Sequence, residues 1–404
     1  MQMREWPVLT LACVLFIGAA LLPTAAIGQV ILGQLTPRVE KTAEQPAEGF
    51  YVTPSLSIGE IYDDNLFFSS TQREKDFFTR VSPVLQAGYQ STPLTLLGGY
   101  TFDSEFYSKH SELTTAQVRQ RGVIELKAMP DQVLTLSVSG AYYQTRTPQE
   151  LNLTTGLATS RVLAERYTGS PAFTYRFDPL TTSKGDYTYA KDLVAGGITI
   201  DSHIVNLVLD HRITSRDTMG PMYTGRQFRF AGFPTITSHA FTLGWSHEFT
   251  PLTTFTLRGG PRLTEGKVDR LPEAFASISH KLKSGALSLS YGSTSTTTIG
   301  QATAVRTQSI TGTATTELLP KLELSAGPAV YWISSDAFKA TAYWTLLQAS
   351  YQLTKTLALQ ASYQYSFQRG SFNPQTGPTG PTNVEILHNI FLIRLTVTSP
   401  VRVD

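Results

Sequence analysis

The 404-residue chain carries 33 Lys and Arg against 31 Asp and Glu, a formal net charge of +2, and only 16% of its residues are charged. So sparse and balanced a charge excludes the concentrated basic surface that nucleic-acid binding needs, and no nucleic-acid partner is expected. The single cysteine, Cys13, lies in an N-terminal apolar run, so the rest of the chain offers no disulfide, iron–sulfur cluster or thiolate zinc site, and no cofactor is expected.

The chain opens with Arg4, an apolar run from about Val8 to Leu22, and small residues at Ala26-Ile27-Gly28. This reads as a secretory signal peptide over residues 1–28, cut before Gln29. Residues 29–49 have scattered charge and no period, and read as a flexible periplasmic segment.

From Phe50 the pattern changes to period 2. Phe77, Thr79, Val81, Pro83, Leu85, Ala87 and Tyr89 fall on one face of an extended strand, with Phe78, Arg80, Ser82, Val84, Gln86 and Gly88 on the other. After a tight turn at Ser91-Thr92-Pro93, Leu94, Leu96, Gly98, Tyr100, Phe102 and Phe106 share a face against Thr95, Thr101, Asp103 and Glu105. Short connectors recur at Met129-Pro130-Asp131, Asp178-Pro179-Leu180, Thr214–Asp217, Thr250-Pro251, Lys283-Ser284-Gly285, Pro320-Lys321 and Thr354-Lys355. Between them lie generally longer loops, the longest at Pro148–Ser160 and Arg369–Asn383.

Tight turns alternating with longer loops mark a transmembrane β-barrel, short on the periplasmic side and longer outside. The expected fold is all-β: a transmembrane antiparallel up-and-down barrel of about 18 strands, in the range of about 16 to 18, over residues 50–398. Residues 399–404 are expected as a C-terminal tail. The apolar faces must meet lipid, because one soluble core could not bury them all, and the other faces then line a wet lumen. Tyr89, Phe173, Tyr175, Phe177, Phe249 and Tyr351 near the short-turn ends suit an interfacial girdle. Pro83, Pro171, Pro261 and Pro328 fall within strands and are expected at bulges or strand ends. Two stretches, Thr181–Leu193 and Met219–Phe230, have a mixed pattern, and protrusion beyond the membrane is one reading of them.

Strand parity turns Arg80, Arg119, Arg121, Glu125, Lys127, Arg176, Arg258, Arg262, Glu323 and Arg394 toward the lumen. Basic groups outnumber acidic ones in this set, which would favour anionic solutes. The plainer reading is that they pair among themselves and with Asp103, Glu105 and Asp210 to stiffen the wall. Asp63-Asp64-Asn65 at the outer end of the first strand presents oxygen donors for a hard cation, or else makes a turn through local backbone bonds. The seven histidines have no metal-site spacing and no nucleophile elbow occurs. The nearest thing to a catalytic pair is His280 with Ser277 and Ser279, and the chain is not expected to be an enzyme.

The run Tyr51-Val52-Thr53-Pro54-Ser55-Leu56-Ser57, then Tyr62-Asp63-Asp64-Asn65-Leu66-Phe67, then Asp76-Phe77-Phe78-Thr79-Arg80-Val81-Ser82-Pro83, resembles the opening of the β-barrel porin 2 family. The resemblance covers roughly Phe50–Tyr107 and brings no catalytic residue with it. It implies an outer-membrane barrel of the kind that often accompanies exopolysaccharide or PEP-CTERM export systems. The functions in view are a porin-like channel serving polysaccharide export or diffusion of polar and anionic solutes, a non-conducting surface receptor or scaffold, and a membrane-embedded hydrolase. Expected partners are outer-membrane lipid, the barrel-assembly machinery and periplasmic components of an export system.

Overall fold

The computed structural model describes residues 48–158, 160–265, 272–335, 338–372 and 382–403. The expected signal peptide and nearly all of the segment after it lie outside the described residues. The first strands are β1 (Gly49–Asp63), β2 (Asp76–Gln90), β3 (Leu94–Tyr107), β4 (Thr115–Ala128), β5 (Leu134–Thr145) and β6 (Ala164–Arg176). The wall continues with β7 (Thr181–Val194), β8 (Ile200–Arg212), β9 (Asp217–Phe230), β10 (Ile236–Thr250), β11 (Thr253–Thr264) and β12 (Pro272–Leu282). It is completed by β13 (Gly285–Thr297), β14 (Ala304–Leu319), β15 (Leu322–Ser334), β16 (Lys339–Gln352), β17 (Leu357–Phe372), β18 (Thr382–Thr398) and the short β19 (Val401–Val403).

Each strand pairs antiparallel with the next, and β18 pairs back onto β1, so eighteen strands close into one barrel. The seam runs from Ser55↔Thr398 to Asp63↔Ile390. The residues after Thr398, expected as a tail, instead continue the wall: β19 pairs Val401 with Val52 and Val403 with Phe50. Thr181–Leu193 and Met219–Phe230, whose pattern was mixed, are regular wall strands paired on both edges.

The barrel exists because hydrocarbon leaves a backbone polar group no partner except another strand. Strands of 11 to 17 residues at about 3.3 Å per residue cross a hydrocarbon core even when strongly tilted. The outward faces are apolar: Leu56, Ile58, Phe77, Leu85, Leu243, Leu257, Phe391 and Ile393 are all exposed to the surroundings, Ile393 by 62%. Outward aromatics near the short turns include Tyr89, Phe177, Phe249 and Tyr351, all exposed.

The four prolines expected at bulges or strand ends are held within strands without bulges. At Pro83, Pro171, Pro261 and Pro328 the ladder to one neighbour skips two positions and resumes in the same register, as from Val81↔Ser104 to Val84↔Thr101. The ladder to the other neighbour runs through the proline. The missing N–H therefore costs one ladder locally, and the lost donor faces the gap. In β11 the residue before Pro261 is Gly260, whose absent Cβ would collide with the Phe241 carbonyl of β10. Gly260→Ala should therefore push two backbones apart and destabilise the barrel by about 1–3 kcal/mol. The check is the urea midpoint for loss of the compact, heat-modifiable band on a gel, which should fall relative to wild type.

Candidate functional site

Inward-facing residues differ sharply between the two ends of the barrel. Toward the short turns Glu125, Lys127, Arg176, Lys184 and Lys281 are exposed to the lumen. Toward the long loops the inward side chains are packed away: Leu66, Ile200, Val305 and Ala164 are fully buried, and Ile61, Phe228, Phe230, Tyr331 and Ile333 nearly so. The lumen is open at its periplasmic end and filled at its outer end.

Residues 146–158 and 160–163, between β5 and β6, help to fill it. The segment starts as a 3-10 turn over Pro148–Leu151, then reaches across to the far wall. Leu157 packs with Val305 of β14, Tyr331 and Ile333 of β15, and Ala340 and Ala342 of β16. Ala158 N–H donates to Gln368 Oε1 of β17 at 2.6 Å and its carbonyl accepts from Gln368 Nε2 at 3.0 Å. Asn152 Oδ1 accepts from the Ile299 N–H at 2.8 Å, joining the loop after β13. Gly156 turns the chain with φ +63, and the Tyr331 ring lies 2.8 Å from where a Cβ would stand. Only glycine meets both demands.

The near end of this segment is tied by charge. Arg119 of β4 donates to Asp103 Oδ2 of β3 at 2.8 Å and grips Glu150 with its other two nitrogens, one bond at 2.7 Å. Arg161 donates to Tyr107 OH at 2.6 Å and lies 3.6 Å from Glu105. Tyr107 OH in turn donates to Glu105 Oε2 at 2.6 Å. Arg80 completes the cluster against Glu105 at 2.6 Å and Asp103 at 3.8 Å. Further round the wall Arg166 pairs with Asp192, and Arg226 and Arg262 share Glu273. Buried charges of this kind are held because each has a partner, and removing one member typically costs about 3–5 kcal/mol.

The ten residues chosen by parity lie on the strand faces opposite the exposed apolar side chains. Arg80, Arg119 and Arg262 are in ion pairs. Arg121 and Glu323 also have partners. Glu125, Lys127 and Arg176 stand at the open end. Arg258 and Arg394 face the lumen with no ion pair among the described residues: Arg258 Nη1 meets Met222 Sδ at 2.7 Å, and Arg394 donates to Gln360. Parity reasoning did not pick Arg166, Arg226 and Glu273, which it would equally have placed inside, nor Glu150 and Arg161, which belong to the β5–β6 connector rather than to a strand.

Asp63, Asp64 and Asn65 diverge and clasp the seam. Asp63 Oδ1 meets His388 Nε2 at 2.8 Å and accepts the Asn65 N–H at 2.9 Å. Asp64 accepts both the N–H and the Nδ2 of Asn389 at 2.7 Å. Asn65 Nδ2 donates to the carbonyls of Leu387 and Ser69, each at 2.9 Å. Among the described residues no group of three or more His, Cys, Asp or Glu side chains is placed to hold a metal ion. His280 turns outward, with Nδ1 2.8 Å from Thr253 Oγ1, whereas Ser277 and Ser279 have the opposite parity. The Ser–His pairing considered from sequence is therefore split across the two faces of β12.

Outside the barrel, His110 links two loops. Its Nε2 lies 2.8 Å from Glu74 Oε2 and its Nδ1 3.1 Å from Asp76 Oδ2, while Asp76 also accepts the Lys109 and His110 N–H groups.

No protein-family model and no curated protein sequence matches the chain. Solved structures similar to it include OpdO of Pseudomonas aeruginosa, at 12% identity over 87% of this chain and 98% of that one, TM-score 0.46. OpdQ of the same organism aligns at 10% identity over 87% and 98%, TM-score 0.45. The siderophore receptor PirA, also from Pseudomonas aeruginosa, aligns at 9% identity over 88% and 81%, TM-score 0.43. The closed ladder and lipid-facing exterior described above make this chain a membrane-spanning β-barrel of the outer-membrane type.

Both ring nitrogens of His110 point at carboxylates, which favours the imidazolium: the Glu74 hydrogen bond first, then Asp76, raise its pKa above the ordinary value. A raised folded-state pKa means that the latch is at full strength below about pH 6.5, the unfolded value, and is lost as pH rises through the folded midpoint. A titration of the His110 ring by NMR should show a midpoint above that of a free histidine, and Glu74→Gln should lower it.

Proposed function

We propose that the protein is a gated outer-membrane channel for polar solutes, and that residues 146–163 are the gate, closed in this conformation. The observation that carries this reading is the asymmetry of the lumen. A charged, water-facing interior runs up from the periplasmic end and stops at a packed layer, to which, among the described residues, the β5–β6 connector contributes alongside Leu66 and Phe68 of the β1–β2 loop and Ile299 after β13. A barrel serving only as a support for surface loops has no need of an open, charged lower lumen.

The gate is held by contacts that can be released. Two hydrogen bonds at Gln368, one each at Ile299 and Thr296, and the apolar contacts of Leu151, Leu157 and Ala158 hold it in place. Hydrogen bonds of this kind contribute about 0.5–1.5 kcal/mol each, and burying a leucine about 1.5–3 kcal/mol. Export of a polysaccharide, which the resemblance of the opening residues implies, belongs to this same reading. It requires the whole segment to leave the lumen, so that a polymer can pass between β3–β4 and β15–β17. The packed outer layer also supports the alternative of a permanently plugged receptor or scaffold.

Conductance separates the two. In planar bilayers the wild-type barrel should conduct rarely. Leu157→Asp, which places a carboxylate in an apolar pocket, and deletion of residues 148–160 should both give frequent, larger openings. A folded, loop-deleted barrel that never conducts would overturn the channel reading in favour of the scaffold.

A further inference from the structure

Two partly buried lumen arginines have their acidic neighbours, Asp210 for Arg258 and Asp103 for Arg394, beyond direct ion-pair reach. Arg258 and Arg394 are partly buried, make no ion pair among the described residues, and each keeps a buried Nε with no hydrogen-bond acceptor. Arg258 has Thr242 as a diagonal neighbour across the β10–β11 ladder, where Gly244 stands opposite the arginine itself. Thr242 Oγ1 is also buried and unpartnered. Arg394 pairs in register with Gly59, and Gly59 pairs on its other side with Arg80, so a residue without a side chain separates two guanidinium-bearing positions. A partly desolvated guanidinium with no carboxylate in direct contact is stabilised when an anion joins it, and its fork geometry suits a carboxylate.

The wall between these two arginines carries Glu273 and Glu323, both with partners, and also a set of neutral groups. Ser277, Ser290, Thr311, Gln348 and Ser362 all face inward, and Ser290 and Thr311 share a hydroxyl–hydroxyl bond of 2.8 Å. Neutral groups that both donate and accept match the hydroxyls of a polyol, and they carry no charge that would repel or trap an acid.

We propose that Arg258, with Thr242 beside it, and Arg394 are oxyanion stations in the lumen, and that the solutes they serve are hydroxylated carboxylic acids such as uronic acids. The carboxylate docks on the guanidinium and the hydroxyls exchange along the Ser, Thr and Gln wall. This deepens the channel reading and rests on it for physiological meaning. The stations themselves lie below the packed outer layer, so solute reaches them from the periplasmic end whether or not the gate opens.

The test is calorimetric titration of the folded, full-length barrel in detergent with glucuronate, acetate and glucose. Glucuronate should bind more tightly than acetate, and glucose should not bind detectably. Arg258→Gln and Arg394→Gln should each weaken glucuronate binding, with about a tenfold loss for the double variant, and Arg258→Lys should fall between Arg258→Gln and wild type. Heat-modifiable migration confirms that each variant is folded. Glucose binding as well as glucuronate, acetate binding as tightly as glucuronate, or an unchanged affinity in the folded double variant would each overturn the proposal. A loop-deleted barrel that binds glucuronate yet never conducts would remove the channel reading and leave the stations standing.

Discussion

The wall depends on one constraint: in hydrocarbon, every strand edge must find a partner within the chain. Seventeen of the nineteen strand pairings are made between neighbours in sequence, and the pairings of β1 with β18 and the short β19 join the two ends. A slip of one residue there would turn lipid-facing side chains into the lumen along the closing strand. The Asp63-Asp64-Asn65 corner sits where such a slip would be felt. Its three side chains address three consecutive residues of β18, Leu387, His388 and Asn389. A cluster that in sequence offers either a cation site or a turn makes hydrogen bonds that fix the register of closure.

Once the wall is closed, its interior has to be either wet or packed, and this barrel is both, at opposite ends. Charged residues at the periplasmic end keep water. Toward the outer end the same inward positions carry Ile, Phe, Tyr and Ala, and residues 146–163 supply Leu151, Leu157 and Ala158 to complete several apolar clusters. The ion pairs lie beneath this layer, where partial burial strengthens them and where Glu150 and Arg161 bind the gate segment to the wall. The connector and the wall are thus joined by ion pairs on the near side and by apolar contacts and hydrogen bonds on the far side.

Much of this was legible in the sequence, because a barrel wall is a local pattern. Period 2 sets which side Arg80 or Phe77 faces, and the alternation of tight turns and longer loops sets the strand number. What parity cannot give is who stands opposite whom across the lumen. Ala158 and Gln368 are 210 positions apart, and Asn152 and Ile299 are 147 apart. Nothing local marks them as partners. The prolines show the other kind of gap. A proline reads as a strand breaker, yet Pro83 and Pro261 persist because a strand has two edges and needs to lose only one. The tail at Val401–Val403 was missed because three residues are too few to show a period, and only the extra length of β1 below the seam gives them a partner.

The central claim is that the lumen is open to the periplasm and closed to the exterior by residues 146–163. Cysteine labelling with a bulky, membrane-impermeant maleimide tests it directly, at Lys127→Cys and Ser290→Cys inside the lumen and Phe233→Cys on an outer loop as a control. In intact cells only the outer-loop cysteine should react, and after the outer membrane is permeabilised the two lumen positions should react as well. Labelling of Ser290→Cys in intact cells at the rate of the outer-loop control would mean that the mouth is open, and would contradict the account.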